Sequence, residues 1–372
     1  MSCCCFGNRI IRIIYLLGAF FLLSSYGANL RSAADTSSSE ASIGKRLIIG
    51  VVTQPIPKSE NPSLPIGFID ATYVDLLARF NVTAIPIYHD LSHTSLNVLL
   101  DRIDGVLITG GPTSLLKFNH SEDDEYSDDS DNAGAAKHQR EIIGLSKFGR
   151  FIQRLAYQVA NINKVNGTFP IYGICLGNEA LGLAFAKDLD ILQRNTRWKK
   201  EDQLAPIRFV AAQEKSKIMS GLPIELRNKM EGSDAHLFRH HWSLSYSAAL
   251  NDSSFMKEFE IVATARDIHN TEYVAIIESK TNPFFGTQFH TNRIKDGKNT
   301  EDLQKEIQAY FFEYLINLAN NRERPHSQDK RLIETFGITS DQKTKINTYH
   351  EGDVYVIDFA NYPAKKIIEG NN

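Results

Sequence analysis

Phe169-Pro-Ile-Tyr-Gly-Ile-Cys-Leu-Gly-Asn-Glu179 carries the sharpest signal in this 372-residue chain. Phe169 to Ile174 is an apolar run with the length and composition of a buried parallel strand. Leu176 to Leu181 then reads as the opening turns of a helix, so Cys175 falls on the bend between them. Gly173 and Gly177 flank it as G-x-C-x-G, the thiol counterpart of a strand-turn-helix nucleophile elbow. Small neighbours there let the backbone turn sharply and lift one side chain above the sheet. A thiol at a helix N-terminus also meets partial positive charge, which favours the nucleophilic thiolate. The pentapeptide alone is equally compatible with a buried structural cysteine.

Working outward, strands alternate with amphipathic helices. Leu47 to Val52 is a continuous β-branched run, the first buried strand. Phe68 to Arg79 carries apolar residues at Phe68, Ile69, Tyr73, Leu76 and Leu77, which predicts one helix. A strand at Val82 to Tyr88, a helix at Leu96 to Ile103 and a strand at Gly105 to Ile108 follow. Phe148, Phe151, Ile152, Leu155 and Val159 stripe a helix leading to the cysteine strand. This order argues for the α/β class, a doubly wound and mostly parallel sheet with flanking helices. Further on, Phe259 to Ala265 and Tyr273 to Glu278 read as a strand pair, and Glu301 to Asn320 as a late covering helix.

Two further strand ends carry chemistry. Thr109-Gly110-Gly111-Pro112 closes the third strand, where glycines bring backbone N–H groups close to a ligand; an ordinary tight turn is the alternative. Phe284 to His290 reads as a strand ending in histidine. If the sheet is parallel, Cys175 and His290 project from the same carboxyl edge. A histidine within reach of a thiol activates it and later protonates a leaving amine. The N–H groups of Gly111 and Leu176 are then the natural oxyanion donors. His240-His241-Trp242 is the densest histidine cluster, and on a strand at most one of the pair can face a site. Together these parts describe acyl transfer or amide hydrolysis through a thioester. The pattern calls for no cofactor and no metal, and contains no phosphate loop or dinucleotide fingerprint.

The N-terminus stands apart. Arg9 and Arg12 precede the apolar run Ile13 to Leu23 and then small residues, the pattern of a signal peptide over residues 1–27. An uncleaved anchor acylated at Cys3, Cys4 and Cys5 is the alternative. Cleavage would leave no stable membrane span, take the net charge from −3 to −5 and leave Cys175 as the sole cysteine, which favours function over packing. Four N-glycosylation triplets, at Asn81, Asn119, Asn166 and Asn251, fit a secretory route. Neither charge value carries the basic footprint of a nucleic-acid partner. Residues 28–44 read as a linker, 45–325 as the α/β domain, and 326–372 as a C-terminal extension packing on it. Within the domain, 118–137 is an acidic insertion whose like charges resist collapse.

Beyond these local readings, the chain resembles the γ-glutamyl hydrolases (folylpolyglutamate hydrolases) of the class I glutamine amidotransferase-like superfamily, from Arg46 to about Phe359. The resemblance lies in Gly50-Val-Val-Thr-Gln-Pro55, Phe68-Ile-Asp-Ala-Thr-Tyr-Val74, Ile103 to Gly111, Tyr172 to Gly177 with Glu179, His240-His-Trp-Ser-Leu-Ser245, and Gly286-Thr-Gln-Phe-His290. It implies Cys175 as nucleophile and His290 as proton donor and acceptor. His240 becomes a site histidine contacting substrate, with Glu179 beside the site as substrate-binding or auxiliary. It also implies a homodimer in a lysosomal, vacuolar or extracellular setting, acting on poly-γ-glutamyl folates without a cofactor. One departure is chemical: where the family commonly has His-Pro-Glu, this chain has His290-Thr291-Asn292. The carboxylate that would orient the imidazole is replaced by Asn292, which can still accept a hydrogen bond. A glutaminase and an inactive ligand-binding homologue are the competing readings. Arg150, Arg194, Arg197 and Arg293 are candidate partners for substrate carboxylates.

Overall fold

The apolar strand runs do assemble into one sheet. The computed structural model describes residues 46–56, 66–119, 141–194, 203–296, 299–324, 329–338, 343–345 and 353–358, all within the unit Lys45–Asn372. The signal-peptide and linker readings and nearly all of the acidic insertion lie outside the described residues. No described helix is long and apolar enough to cross a membrane.

The main sheet contains β1 (Ile48–Val52), β2 (Thr83–Ile87), β3 (Gly105–Ile108), β4 (Ile171–Ile174), β5 (Phe259–Arg266), β6 (Glu272–Ser279) and β7 (Phe284–Thr287). In space they run β5-β6-β7-β4-β3-β1-β2, with Arg208–Phe209 pairing outside β5. The five from β7 to β2 are mutually parallel, while β6, β5 and Arg208–Phe209 continue antiparallel. Mostly parallel is therefore the right description, with an antiparallel wing. Continuous apolar runs make sense here because both faces of the parallel strands are covered. Ile49, Val51, Leu107 and Tyr172 face α1 (Ala71–Arg79) and α5 (Glu301–Asn320). Ile48, Val52, Ile108 and Ile171 face the layer of α2 (His93–Leu100), α3 (Lys147–Asn166) and α4 (Leu176–Phe185). Each fully buried aliphatic side chain contributes about 1.5–3 kcal/mol.

Local signals mark the helix ends. Ser146 caps α3 by accepting from Gly149 N–H at 2.9 Å, and Gly167 ends it at φ 66°. Three predicted boundaries are wrong. The helix expected at Leu96 to Ile103 runs His93–Leu100, because the Ser92 side chain accepts from Ser95 N–H and caps it earlier. Phe68 and Ile69 belong not to the helix but to the strand Ile66–Asp70, because Asp70 caps α1 from its side chain and the chain before it is extended. The strand before His290 ends at Thr287, so the histidine lies on the loop beyond.

A second sheet orders Lys343–Lys345, Asp353–Asp358, Ile66–Asp70 and Gln54–Pro55. Val354 pairs with Asp70 and Tyr355 with Ile69, so a late strand holds the start of α1. Leu116–Phe118 pairs with Ile142–Leu145, which brackets the acidic segment with a hairpin and places Phe118 in a strand.

A Cβ on Gly177 would lie 2.1 Å from the Ile108 carbonyl oxygen, so Gly177→Ala should destabilise by roughly 2–3 kcal/mol, read from urea unfolding. Buried His236, its Nδ1 on the Ala205 carbonyl, and His89 are both pushed down to about 4 by burial. Below the unfolded value near 6.5 the unfolded chain binds more protons than the native one. Stability should therefore decline as pH falls from about 6.5 toward 4, and the urea midpoint should be lower at pH 5 than at pH 7.

Candidate active site

Three neighbouring parallel strands, β3, β4 and β7, deliver Thr109-Gly110-Gly111, Cys175 and His290 to one carboxyl edge, the place where open α/β sheets build sites. Cys175 has φ 55° and ψ −110°, a positive φ that non-glycine residues rarely hold. The bend is enforced by close contacts on both sides. A Cβ on Gly173 would meet the Gly177 carbonyl oxygen at 2.4 Å, and Gly177 itself abuts β3. The Cys175 N–H donates to the Thr287 carbonyl at 2.7 Å. The elbow therefore joins all three strands.

Cys175, Leu176, Gly111, Glu179, His240 and His290 line one cavity of about 250 Å³. Asn292 stands behind His290, its Oδ1 3.2 Å from the ring Nδ1. The thiol and imidazole are neighbours: a Cβ on Gly110 would lie 3.1 Å from His290 Cε1 and 3.2 Å from Cys175 Cβ. Cys175 Cβ therefore lies no more than 6.3 Å from His290 Cε1, the sum of 3.1 and 3.2 Å, and the thiol itself donates to the Arg239 carbonyl at 3.8 Å. The Leu176 amide hydrogen-bonds toward the sulfur. The Gly110 N–H donates to the Tyr73 hydroxyl at 2.9 Å, and Gly110 and Gly111 both line the cavity.

The electrostatics depart from the sequence reading. The helix N-terminus does not produce a resting thiolate. Burial first and Glu179 second push the Cys175 thiol well above its ordinary value, against the Leu176 amide and the charges of Arg239 and Arg293. Glu179 is itself pushed up to about 8 by burial, only partly offset by Gln288 Nε2 donating to it at 2.6 Å. Below pH 8 it is mostly protonated, so its repulsion of a thiolate weakens. Burial, then Arg293, lowers His290 to about 4, and burial lowers His240 to about 3. At neutral pH the pair therefore rests as thiol and neutral imidazole, with desolvation outweighing the dipole.

Both histidines of the predicted pair reach the cavity, because Arg239 to Trp242 is a loop and not a strand, and strand alternation does not apply. His240 Nδ1 lies 2.8 Å from the Trp242 carbonyl. Of the four candidate arginines, Arg293 lines the cavity. Arg150 instead donates to the Leu145 carbonyl on the surface, Arg194 is exposed and does not line the cavity, and Arg197 lies outside the described residues. Sequence reasoning missed Arg239, Tyr73 and Asp70 in the cavity wall, and Gln54, which accepts from Thr113 Oγ1 at 2.5 Å and braces Gly111. Gln54, Asp70 and Tyr73 sit inside the quoted motifs, yet nothing local distinguishes them from packing residues. Among the described residues no cluster of His, Cys, Asp or Glu could hold a metal ion.

Comparison with known proteins agrees with this architecture. The family model for glutamine amidotransferase class-I matches residues 72–308, well over half of the chain. Gamma-glutamyl hydrolase B of Dictyostelium discoideum is 24% identical over 246 residues, 66% of this chain and 62% of that protein, so the match spans less than two thirds of its length. Gamma-glutamyl hydrolase of Mus musculus is 24% identical over 317 residues, 83% of this chain and 87% of that protein. The Rattus norvegicus enzyme is 25% identical over 296 residues, 78% of this chain and 82% of that protein. With the elbow, the sheet order and a family match that takes in Cys175 and His290, the chain belongs to the class-I glutamine amidotransferase family.

Proposed function

We propose that this chain is a cysteine hydrolase of γ-glutamyl amide bonds, acting through a thioester. The observation that carries the reading is the cysteine on a strained elbow beside His290, in a cavity lined also by Arg239 and Arg293. The names of the relatives, gamma-glutamyl hydrolases, support the choice of bond. Poly-γ-glutamyl folates are the substrate class that the resemblance suggests, and the N-terminal leader supports a secretory route.

In this mechanism His290 Nε2 takes the thiol proton as Sγ attacks the γ-carbonyl carbon, and the oxyanion is met by the N–H groups of Leu176 and Gly111. The same imidazole passes that proton to the departing amine as the C–N bond breaks, which leaves a thioester. Water, deprotonated by His290, then attacks the thioester carbonyl, and the thiol is regenerated as the glutamyl γ-carboxylate departs. A neutral thiol and a neutral imidazole suit this order, because charge separates only when substrate is present to be attacked. Each glutamyl unit carries a free α-carboxylate, and Arg239, next to His240 in the cavity wall, is the cation we assign to it. The cavity is below the ~300–1,000 Å³ of drug-sized sites, which suits one glutamyl unit.

Three measurements test this. Release of glutamate or γ-glutamyl units from a defined γ-linked oligomer should be lost in Cys175→Ala; equal turnover would remove the thiol from the mechanism, and faster ammonia release from free glutamine would favour a glutaminase. The acid limb of kcat should fall as pH drops through about 4, where His290 takes up a proton and ceases to act as base. A limb near the ordinary histidine value would contradict the buried imidazole. Arg239→Gln should raise KM on the order of tenfold with a smaller change in kcat.

A further inference from the structure

The imidazole of the proposed pair lacks an adjacent carboxylate, because Asn292 occupies that place. We propose that Asp70, more than 200 positions upstream, supplies the missing carboxylate through a hydrogen-bond relay over Thr72 and Asn292, and that this relay sets the tautomer of His290. The inference rests on the hydrolase reading and names positioning residues for it.

The relay is continuous. His290 Nδ1 meets Asn292 Oδ1 at 3.2 Å, Asn292 Nδ2 donates to Thr72 Oγ1 at 2.6 Å, and Thr72 Oγ1 donates to Asp70 Oδ1 at 2.8 Å. Its polarity follows from its last member. An ionised carboxylate only accepts, so the single Thr72 hydroxyl proton points at Asp70 and the Thr72 lone pairs face Asn292. Asn292 must then turn its NH₂ toward Thr72 and its carbonyl oxygen toward the ring. A carbonyl oxygen also only accepts, so Nδ1 carries the ring proton and Nε2 keeps the lone pair needed to take the thiol proton. A carboxylate at one end thus orders every proton to the imidazole at the other.

The surroundings hold the relay in this form. Arg293 binds the other oxygen of Asp70 at 2.6 Å and leaves Oδ1 to Thr72. Asp70 and Asn292 are buried. Thr291 between the histidine and the asparagine is fixed by Tyr172 Oη at 2.7 Å and by Gln308 Nε2 donating to its carbonyl at 2.8 Å. Asp70 itself ends the strand paired with Asp353–Asp358. Capping of α1 does not account for the charge, because asparagine caps a helix as well as aspartate does.

The substitutions separate charge, link and shape. In Asp70→Asn, Arg293 draws the amide oxygen, the NH₂ turns toward Thr72, and the relay can reverse so that Asn292 presents its NH₂ to the ring. Expected is a fall in kcat on the order of a hundredfold with KM little changed, as for a wrong tautomer. Thr72→Val should lower kcat similarly while leaving the Asp70–Arg293 pair, and Thr72→Ser should retain activity. The decisive variant is Asp70→Asn combined with Asn292→Asp, which moves the carboxylate next to the ring and should restore kcat to within about tenfold of the parent. Nitrogen-15 NMR of histidine-labelled protein reads the His290 tautomer directly, and thermal unfolding shows that each variant is folded. Unchanged kcat and tautomer in Asp70→Asn would overturn the proposal, as would a loss that Asn292→Asp does not rescue in a folded protein. If the parent hydrolyses no γ-glutamyl bond, the functional reading fails by itself. The tautomer shift in Asp70→Asn and its reversal by Asn292→Asp then still decide the relay.

Discussion

The site depends on a close approach between backbones: the first turn of α4 lies directly against the carboxyl end of β3, with Gly177 on the Ile108 carbonyl. No side chain fits there, and the same contact forces Cys175 into a positive φ. Such a conformation costs on the order of 1–3 kcal/mol and persists only where its surroundings over-determine it. Here they do, since the cysteine amide is bonded to the Thr287 carbonyl on β7 while α4 is packed through buried Ala180 and Leu181. The elbow draws together the turn after β3 and the loop after β7, and with them the thiol, the glycine amides and the imidazole.

Burial then sets the chemistry of what has been assembled. A thiol and an imidazole removed from water both resist ionisation, and the partial charge at the start of α4 is too small to reverse that. The arginines in the wall act in opposite senses on the two groups: their positive charge eases ionisation of the thiol and opposes protonation of the ring. A neutral resting pair is the outcome. It is a quieter site than an ion pair, and it makes proton transfer depend on the geometry of the imidazole.

That geometry is controlled from outside the main sheet. The His290-Thr291-Asn292-Arg293 loop touches the start of α1 through Thr72 and Asp70, and α5 through Gln308. The start of α1 is itself anchored by a strand near the C-terminus. Residues from three distant parts of the chain therefore hold the loop that carries His290 and Asn292, directly or through Asp70. The second sheet and the late strand, which hold no group in the cavity other than Asp70 at a strand end, contribute by fixing that carboxylate in place.

Much of this is legible in the sequence. Continuous β-branched runs alternating with helical stripes identify a two-sided sheet, because a strand covered on both faces has no need of polar alternation. G-x-C-x-G marks the elbow, because Gly173 packs on the Gly177 carbonyl within the same five residues, although the demand of the Ile108 carbonyl on Gly177 comes from a distant strand. Other features were hidden for an equally physical reason. Phe68 and Ile69 fit a helical stripe as well as a strand, and only pairing with Asp353–Asp358 decides between them. His240 and His241 look like alternating strand positions until the loop that carries them is seen. Asp70, Thr72 and Arg239 show no periodicity or spacing that separates them from surface and capping residues. Their roles arise from side-chain contacts across more than 200 positions or across a cavity wall. Local sequence records the backbone's preferences, whereas proton order, desolvation and charge balance at the site exist only once the folded chain has placed those groups within a few ångströms of one another.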